Sequence, residues 1–229
     1  MAKFTPGAIV SEIRNKIAAT VYSKNGAGAV IRNRVTPINR RSPGQTANRQ
    51  ILASFSSGWR GLTQAQRDAF NAAASNFPQT DALGQTVILT GEQLYIRLNA
   101  NLTLIGGTPI TAPPIPTSFP VLAVGAVTLT AAAFTVAFTP DPVDTGFELI
   151  IRATAPRSAG KNFFGQSEFR FIQSEAAAAI SPADIDTAYE AIFGDKTGQV
   201  GQKVAIEMFL MEEATGLAGI PVRTTALIA

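Results

Sequence analysis

Val127-Thr-Leu-Thr130 and Phe134-Thr-Val-Ala-Phe138 alternate apolar and polar or small residues with a period of two. Side chains of an extended chain point alternately to opposite faces, so this pattern marks strands with one buried side. Phe147-Glu-Leu-Ile-Ile-Arg152 and Glu168-Phe-Arg-Phe-Ile172 continue it. Lys203-Val-Ala-Ile-Glu-Met-Phe-Leu-Met211 follows, then the turn residues Thr215-Gly216 and a last strand over Ile220–Ile228. Punctuated alternation over roughly 110 residues predicts an antiparallel β-sandwich of six or seven strands. One helix interrupts it, opened by Ser181-Pro-Ala-Asp184, with Ile185, Ala188, Tyr189 and Ile192 on its buried stripe.

Ahead of this region stands Thr108-Pro-Ile-Thr-Ala-Pro-Pro-Ile-Pro-Thr-Ser-Phe-Pro120, with five prolines in thirteen residues. Each proline fixes φ and removes a backbone donor, which predicts an extended, semi-rigid connector. The organisation expected is a basic N-terminal domain over 1–107, a linker over 108–120 and a sandwich over 121–229. Within the first domain, residues 8–36 read as a β-hairpin turning at Asn25-Gly-Ala-Gly28, with a helix over part of 9–19 as the competitor. Ala29-Val-Ile-Arg-Asn-Arg-Val35 places Val30, Arg32 and Arg34 on one face. Three helices follow. Ser42-Pro43 fits an N-cap with proline at the first helical position, and Ala47, Ile51, Leu52, Phe55 and Trp59 recur at helical spacing. Thr63-Gln-Ala-Gln66 and Thr90-Gly-Glu-Gln93 are capping boxes, and Gly106-Gly107 is a stop. The first two helices invite a helix-turn-helix reading, but Gln64, Gln66, Arg67 and Asn71 are too few for a recognition face. A small helical cluster beside a hairpin is preferred. The fold class expected is α+β.

The 229 residues contain neither histidine nor cysteine. That removes disulfides, thiolate and imidazole metal sites, and Ser-His-Asp or Cys-His catalysis. Charged residues make up only 15% of the chain. They are unevenly placed: residues 1–60 carry ten Lys or Arg against Glu12 alone, while the rest carries nine basic and fifteen acidic residues. A basic end seeks nucleic acid, a membrane surface or an acidic protein. Arg14, Lys16, Lys24, Arg32, Arg34, Arg40, Arg41 and Arg49 are therefore the candidate partner-binding residues. Few aromatic side chains interleave with them, so a polyanion or acidic-subunit contact fits better than single-strand recognition. No secretory leader or membrane span is expected.

Motifs for chemistry fail on inspection. Arg157-Ser-Ala-Gly-Lys161 lacks the first glycine of a phosphate loop, having Ala155, and has Asn162 where magnesium needs Ser or Thr. Asp184 and Asp186, two apart on the expected helix, point to different faces, and Asp141 and Asp144 suit a turn. Glu207 lies on a strand, buried or exposed by one step of register. No enzyme, cofactor or metal is expected. Phe163 and Phe164, in a Gly-bounded loop, are the candidate surface-binding pair.

Phe4-Thr-Pro-Gly-Ala-Ile-Val-Ser-Glu-Ile-Arg14, Ile31-Arg-Asn-Arg-Val-Thr-Pro-Ile-Asn39 and Trp59-Arg-Gly-Leu-Thr-Gln-Ala-Gln-Arg-Asp-Ala-Phe-Asn71 together resemble a family of tailed-bacteriophage and prophage proteins. Gly91-Glu-Gln-Leu-Tyr-Ile-Arg-Leu-Asn99 extends the likeness, which covers about residues 4–105. Members commonly have tryptophan in place of Phe70 and proline in place of Arg40. The resemblance implies a virion-associated structural protein, with a fibronectin type III or immunoglobulin-like module behind the N-terminal region. It further implies other virion subunits as partners, symmetric or homo-oligomeric assembly, and a virion location. DNA binding through the basic region and polysaccharide adhesion through the sandwich are the alternatives.

Overall fold

A computed structural model describes residues 2–5, 7, 12–25, 28–35, 41–80 and 84–229. The chain divides into two compact units: Met1–Ile96 with Thr111–Pro113, and Arg97–Ile110 with Pro114–Ala229. The class is α+β, with an N-terminal sheet, a helical cluster and then an antiparallel sandwich.

In the first unit, Ala2–Lys3 (β1), Asn15–Ile17 (β2), Thr20–Asn25 (β3) and Gly28–Asn33 (β4) form a sheet in the order β1-β4-β3-β2. The expected hairpin is thus its centre, extended by a strand on each side. Asn25 pairs with Gly28, and the intervening turn at 26–27 lies outside the described residues. The competing helix is absent over 12–19, where β2 turns into β3 through Ala18-Ala19. The Phe4 and Tyr22 rings meet edge-on at 5.7 Å, but only Val30 is buried among the described side chains of this sheet.

The helices start where the caps predict. Ser42 Oγ accepts from the Gln45 N–H, with Pro43 opening Pro43–Gly61 (α1). Thr63 and Gln66 exchange both capping-box bonds ahead of Gln64–Ala73 (α2). Gln79–Thr80 (β5) pairs with Thr86–Val87 (β6). Thr90 and Gln93 then cap Gly91–Leu104 (α3) in the same way as Thr63 and Gln66. Phe70 is fully buried, with the Tyr95 ring at 5.4 Å and Trp59 at 6.0 Å. Gly91 is required by closeness: its N–H donates to Asn71 Oδ1 at 3.1 Å, and a Cβ there would lie 2.6 Å from the Asn71 nitrogen.

In the second unit the strands are Ala123–Thr130 (β7), Ala133–Thr139 (β8), Phe147–Ala153 (β9), Arg170–Glu175 (β10), Ala183–Asp184 (β11), Lys203–Glu212 (β12) and Val222–Leu227 (β13). They form two sheets, β11-β8-β7 and β10-β9-β12-β13. Leu129, Phe134, Val136 and Phe138 from the smaller sheet face Leu149, Ile151, Val204, Ile206 and Met208 from the larger across one continuous core. The larger sheet is also covered outside: Ile150, Phe209 and Met211 pack under Leu104 at the end of α3, Ile105 just beyond it, and Ala218. The Pro-rich stretch 108–120 contains neither helix nor strand. It is tied down at Ile110, whose N–H donates to buried Asn99 Oδ1 at 2.7 Å.

The inserted helix, Asp186–Phe193 (α4), begins later than expected. Ser181 is no N-cap: its hydroxyl accepts from the Phe138 N–H at 3.0 Å, and Ala183–Asp184 then joins β8 as β11. Asp184 and Asp186 therefore do not share a helix. Tyr189 projects inward and donates to the Thr154 carbonyl at 3.0 Å, and burial pushes its phenol pKa up.

Lys196 is fully buried, with Nζ 2.5 Å from Asp186 Oδ1 and 2.6 Å from Glu190 Oε1. Burial alone would lower its pKa, but the bonds to Asp186 and Glu190 outweigh that and raise it. Lys196→Met should cost about 2 kcal/mol, below the roughly 3–5 kcal/mol for breaking a fully buried pair, because both carboxylates reach solvent. A raised pKa stabilises the fold wherever the ammonium is charged in both states. The difference in melting temperature between the two proteins should therefore hold through neutral pH and shrink above about pH 10.4.

Candidate functional site

The basic N-terminal residues are carried by the first sheet and α1. Lys16 stands opposite Val21, Val21 opposite Arg32, and Lys3 opposite Val30. Residues directly opposite share a face, and so do residues two apart on a strand. Lys3, Lys16 and Arg32 therefore stand on one face, and Arg32 and Lys16 are exposed there. Arg34 follows β4 directly; its N–H donates to the Ala19 carbonyl at 2.6 Å and its side chain is exposed. Arg14 and Lys24 share Glu12, at 2.8 and 3.6 Å, and the Arg14 hydrogen bond holds that carboxyl below its usual pKa. Arg41 lies before α1 and Arg49 within it, both exposed and each with an interaction of its own. Arg40 lies outside the described residues. The register thus unites Lys16 and Arg32 and leaves Arg41 and Arg49 apart from it, ahead of and within α1.

The expected aromatic pair is split. Phe163 is 80% exposed, but Phe164 is 7% exposed and packs with Phe169 and Ala205. Adjacent residues in an extended segment point in opposite directions, so a dipeptide of this kind presents one ring only. Lys161 Nζ lies 5.0 Å from the centre of the Phe164 ring and 2.6 Å from Glu168 Oε2. The Lys161 bond, reinforced by the Gly165 N–H, holds the Glu168 carboxyl below its usual pKa.

A polar cluster on the outer face of the larger sheet was not anticipated. Glu207 on β12 is 1% exposed and stands opposite Arg152 on β9 and Arg223 on β13, a plus–minus–plus row across three strands. Arg223 Nε donates to Glu207 Oε2 at 2.7 Å, Gln166 Nε2 donates to Oε1 at 3.1 Å, and Arg152 Nη1 lies 3.6 Å from Oε1. Arg223 also donates to the Gln166 amide oxygen and lies 4.9 Å from the centre of the Phe169 ring. The only signal in the sequence was a lone charge inside an apolar run. Its partners lie 55 residues before it and 16 after it.

Two clefts flank this cluster. One, of about 400 Å³, has Phe163, Phe164, Phe169 and Arg223 in its walls. The other, of about 210 Å³, has Arg97, Arg152, Glu207 and Phe209 in its walls. Among the described residues no group of three or more Asp, Glu, His or Cys is placed to hold a metal ion, and no helix is long and apolar enough to cross a membrane. No family model, curated protein or solved structure matches the chain.

Proposed function

We propose that the chain is a structural subunit of a bacteriophage virion, working through protein–protein contacts made by its basic N-terminal unit. One observation carries this reading: the apolar stripe of α1 is only half-buried, with Phe55 and Trp59 against Tyr95 and no residue of the helix fully covered. Leu52 on that helix is 53% exposed, and Ile17 on β2 and Val35 just beyond β4 are exposed as well. Repetition in a symmetric shell or tail would cover such side chains between copies. The family resemblance of residues 4–105 points the same way. Strand order supports a fibronectin type III or immunoglobulin-like reading of the sandwich. Lettered A, B, C, C′, E, F, G from β7 to β13, with no strand in the D position, the sheets read A-B-E and C′-C-F-G, close to the immunoglobulin arrangement.

Particles purified from the culture that encodes the chain should contain it at a constant copy number. Leu52→Glu should change the stability of the isolated chain by less than about 0.5 kcal/mol yet deplete it from particles. Absence of the wild-type chain from particles would sink the structural reading. DNA binding is the second reading, favoured by the shared face of Lys3, Lys16 and Arg32. Three phosphate contacts would weaken affinity about 40-fold between 50 and 200 mM salt.

A further inference from the structure

The smaller cleft on the outer face of the larger sheet has more positive than negative charge in its walls. Among the described residues Glu207 is the only acid there, and it is already engaged by Arg223 at 2.7 Å and by Gln166 at 3.1 Å. Arg152 stands at 3.6 Å from it, beyond hydrogen-bond reach, with its guanidinium 4.8 Å from the centre of the Phe209 ring. Arg97, on the turn of α3 that enters the cleft, has no acidic partner among the described residues. Its side chain reaches solvent, yet desolvation by the surrounding protein lowers its pKa below the ordinary arginine value. Asn101, one turn on, is committed to the Gly216 carbonyl at 2.8 Å, which fixes that wall.

We propose that this cleft is a binding site for a single carboxylate group, with Arg97 and Arg152 as its cationic donors and Phe209 as its apolar wall. A guanidinium offers five N–H donors in a planar fork, the geometry that receives a carboxylate side-on. With Arg223 occupied by Glu207, the positive charges of Arg97 and Arg152 are left over, and they attract an anion into the cleft. The volume of about 210 Å³ admits an acidic side chain or one sugar-acid ring, not an extended chain. The ring and proline walls accept the apolar part of either.

The two sources are separated by titrating the full chain with N-acetylaspartate N-methylamide, as a peptide-type probe, and with methyl glucuronide, as a sugar-type probe. Saturable shifts of the Arg97 and Arg152 Nε–H resonances are expected with at least one of them, and the tighter binder names the source. For that probe, Arg97→Gln should weaken binding tenfold or more without changing the melting temperature, since Arg97 belongs to no ion pair among the described residues. Arg97→Lys should recover part of the loss. The corresponding carboxamide should fail to bind. The proposal is overturned if neither probe shifts these resonances, if the carboxamide binds as well as the acid, if Arg97→Gln leaves affinity intact, or if inorganic phosphate binds more tightly than both carboxylates.

Discussion

Glu207→Ala should lower the unfolding free energy of the sandwich by about 3 kcal/mol. Breaking a buried, hydrogen-bonded ion pair from one side costs about 3–5 kcal/mol, because the surviving charge keeps its desolvation without its partner. Here the surviving partners are Arg152 and Arg223, 30% and 44% exposed, and both can recover some hydration; this sets the effect at the low end. Gln166 loses the acceptor for its amide N–H as well. Glu207→Gln keeps the shape and one acceptor, and should cost about half as much. Urea denaturation followed by far-UV circular dichroism reads both variants. Equal stability of Glu207→Ala and wild type would mean that the row across β9, β12 and β13 contributes nothing net.

The second large effect belongs to the N-terminal unit. Phe70→Ala removes a fully buried ring at the meeting point of Trp59 and Tyr95, and should cost about 3–5 kcal/mol. Phe70→Leu keeps most of the volume and should cost about 1 kcal/mol. The chain has a single tryptophan, and its ring centre lies 6.0 Å from that of Phe70. Tryptophan fluorescence therefore reports this unit directly. A Phe70→Ala midpoint within error of wild type would show that the three helices are not held by this cluster.

These two residues also mark what sequence can and cannot reveal. The helical cluster was legible because its signals are local: Ser42, Thr63 and Thr90 cap within three residues of themselves, and periodicity brings Trp59 and Phe70 inward. Strand β8 was equally plain, since Phe134, Val136 and Phe138 are buried and their neighbours less so. Ser181-Pro182 misled because an N-cap signature cannot show that the serine hydroxyl is already committed to the Phe138 N–H. The row of Lys16 and Arg32 was within reach, its register set by short connections. The row of Arg152, Glu207 and Arg223 was not, because pairing β9 with β12 is a long-range choice that no short motif encodes. Phe164 vanished from the surface for a similar reason: the residues that cover it, Phe169 and Ala205, are not its immediate neighbours in sequence.

Strand β12 is covered on both sides, and eight of its ten residues are buried in unbroken succession. Such a strand has no polar edge to tell one face from the other, and sliding it by a single residue would exchange two nearly equivalent apolar surfaces. Glu207 breaks that symmetry. Shifted by one position, its carboxylate would turn into the space between Leu149 and Ile151 on one sheet and Phe134 and Val136 on the other, with no cation to meet it. In the native alignment it meets two guanidiniums. The cluster thus acts as a ratchet pawl for the pairing of β9, β12 and β13, excluding the near-miss alignments that an all-aliphatic strand would tolerate.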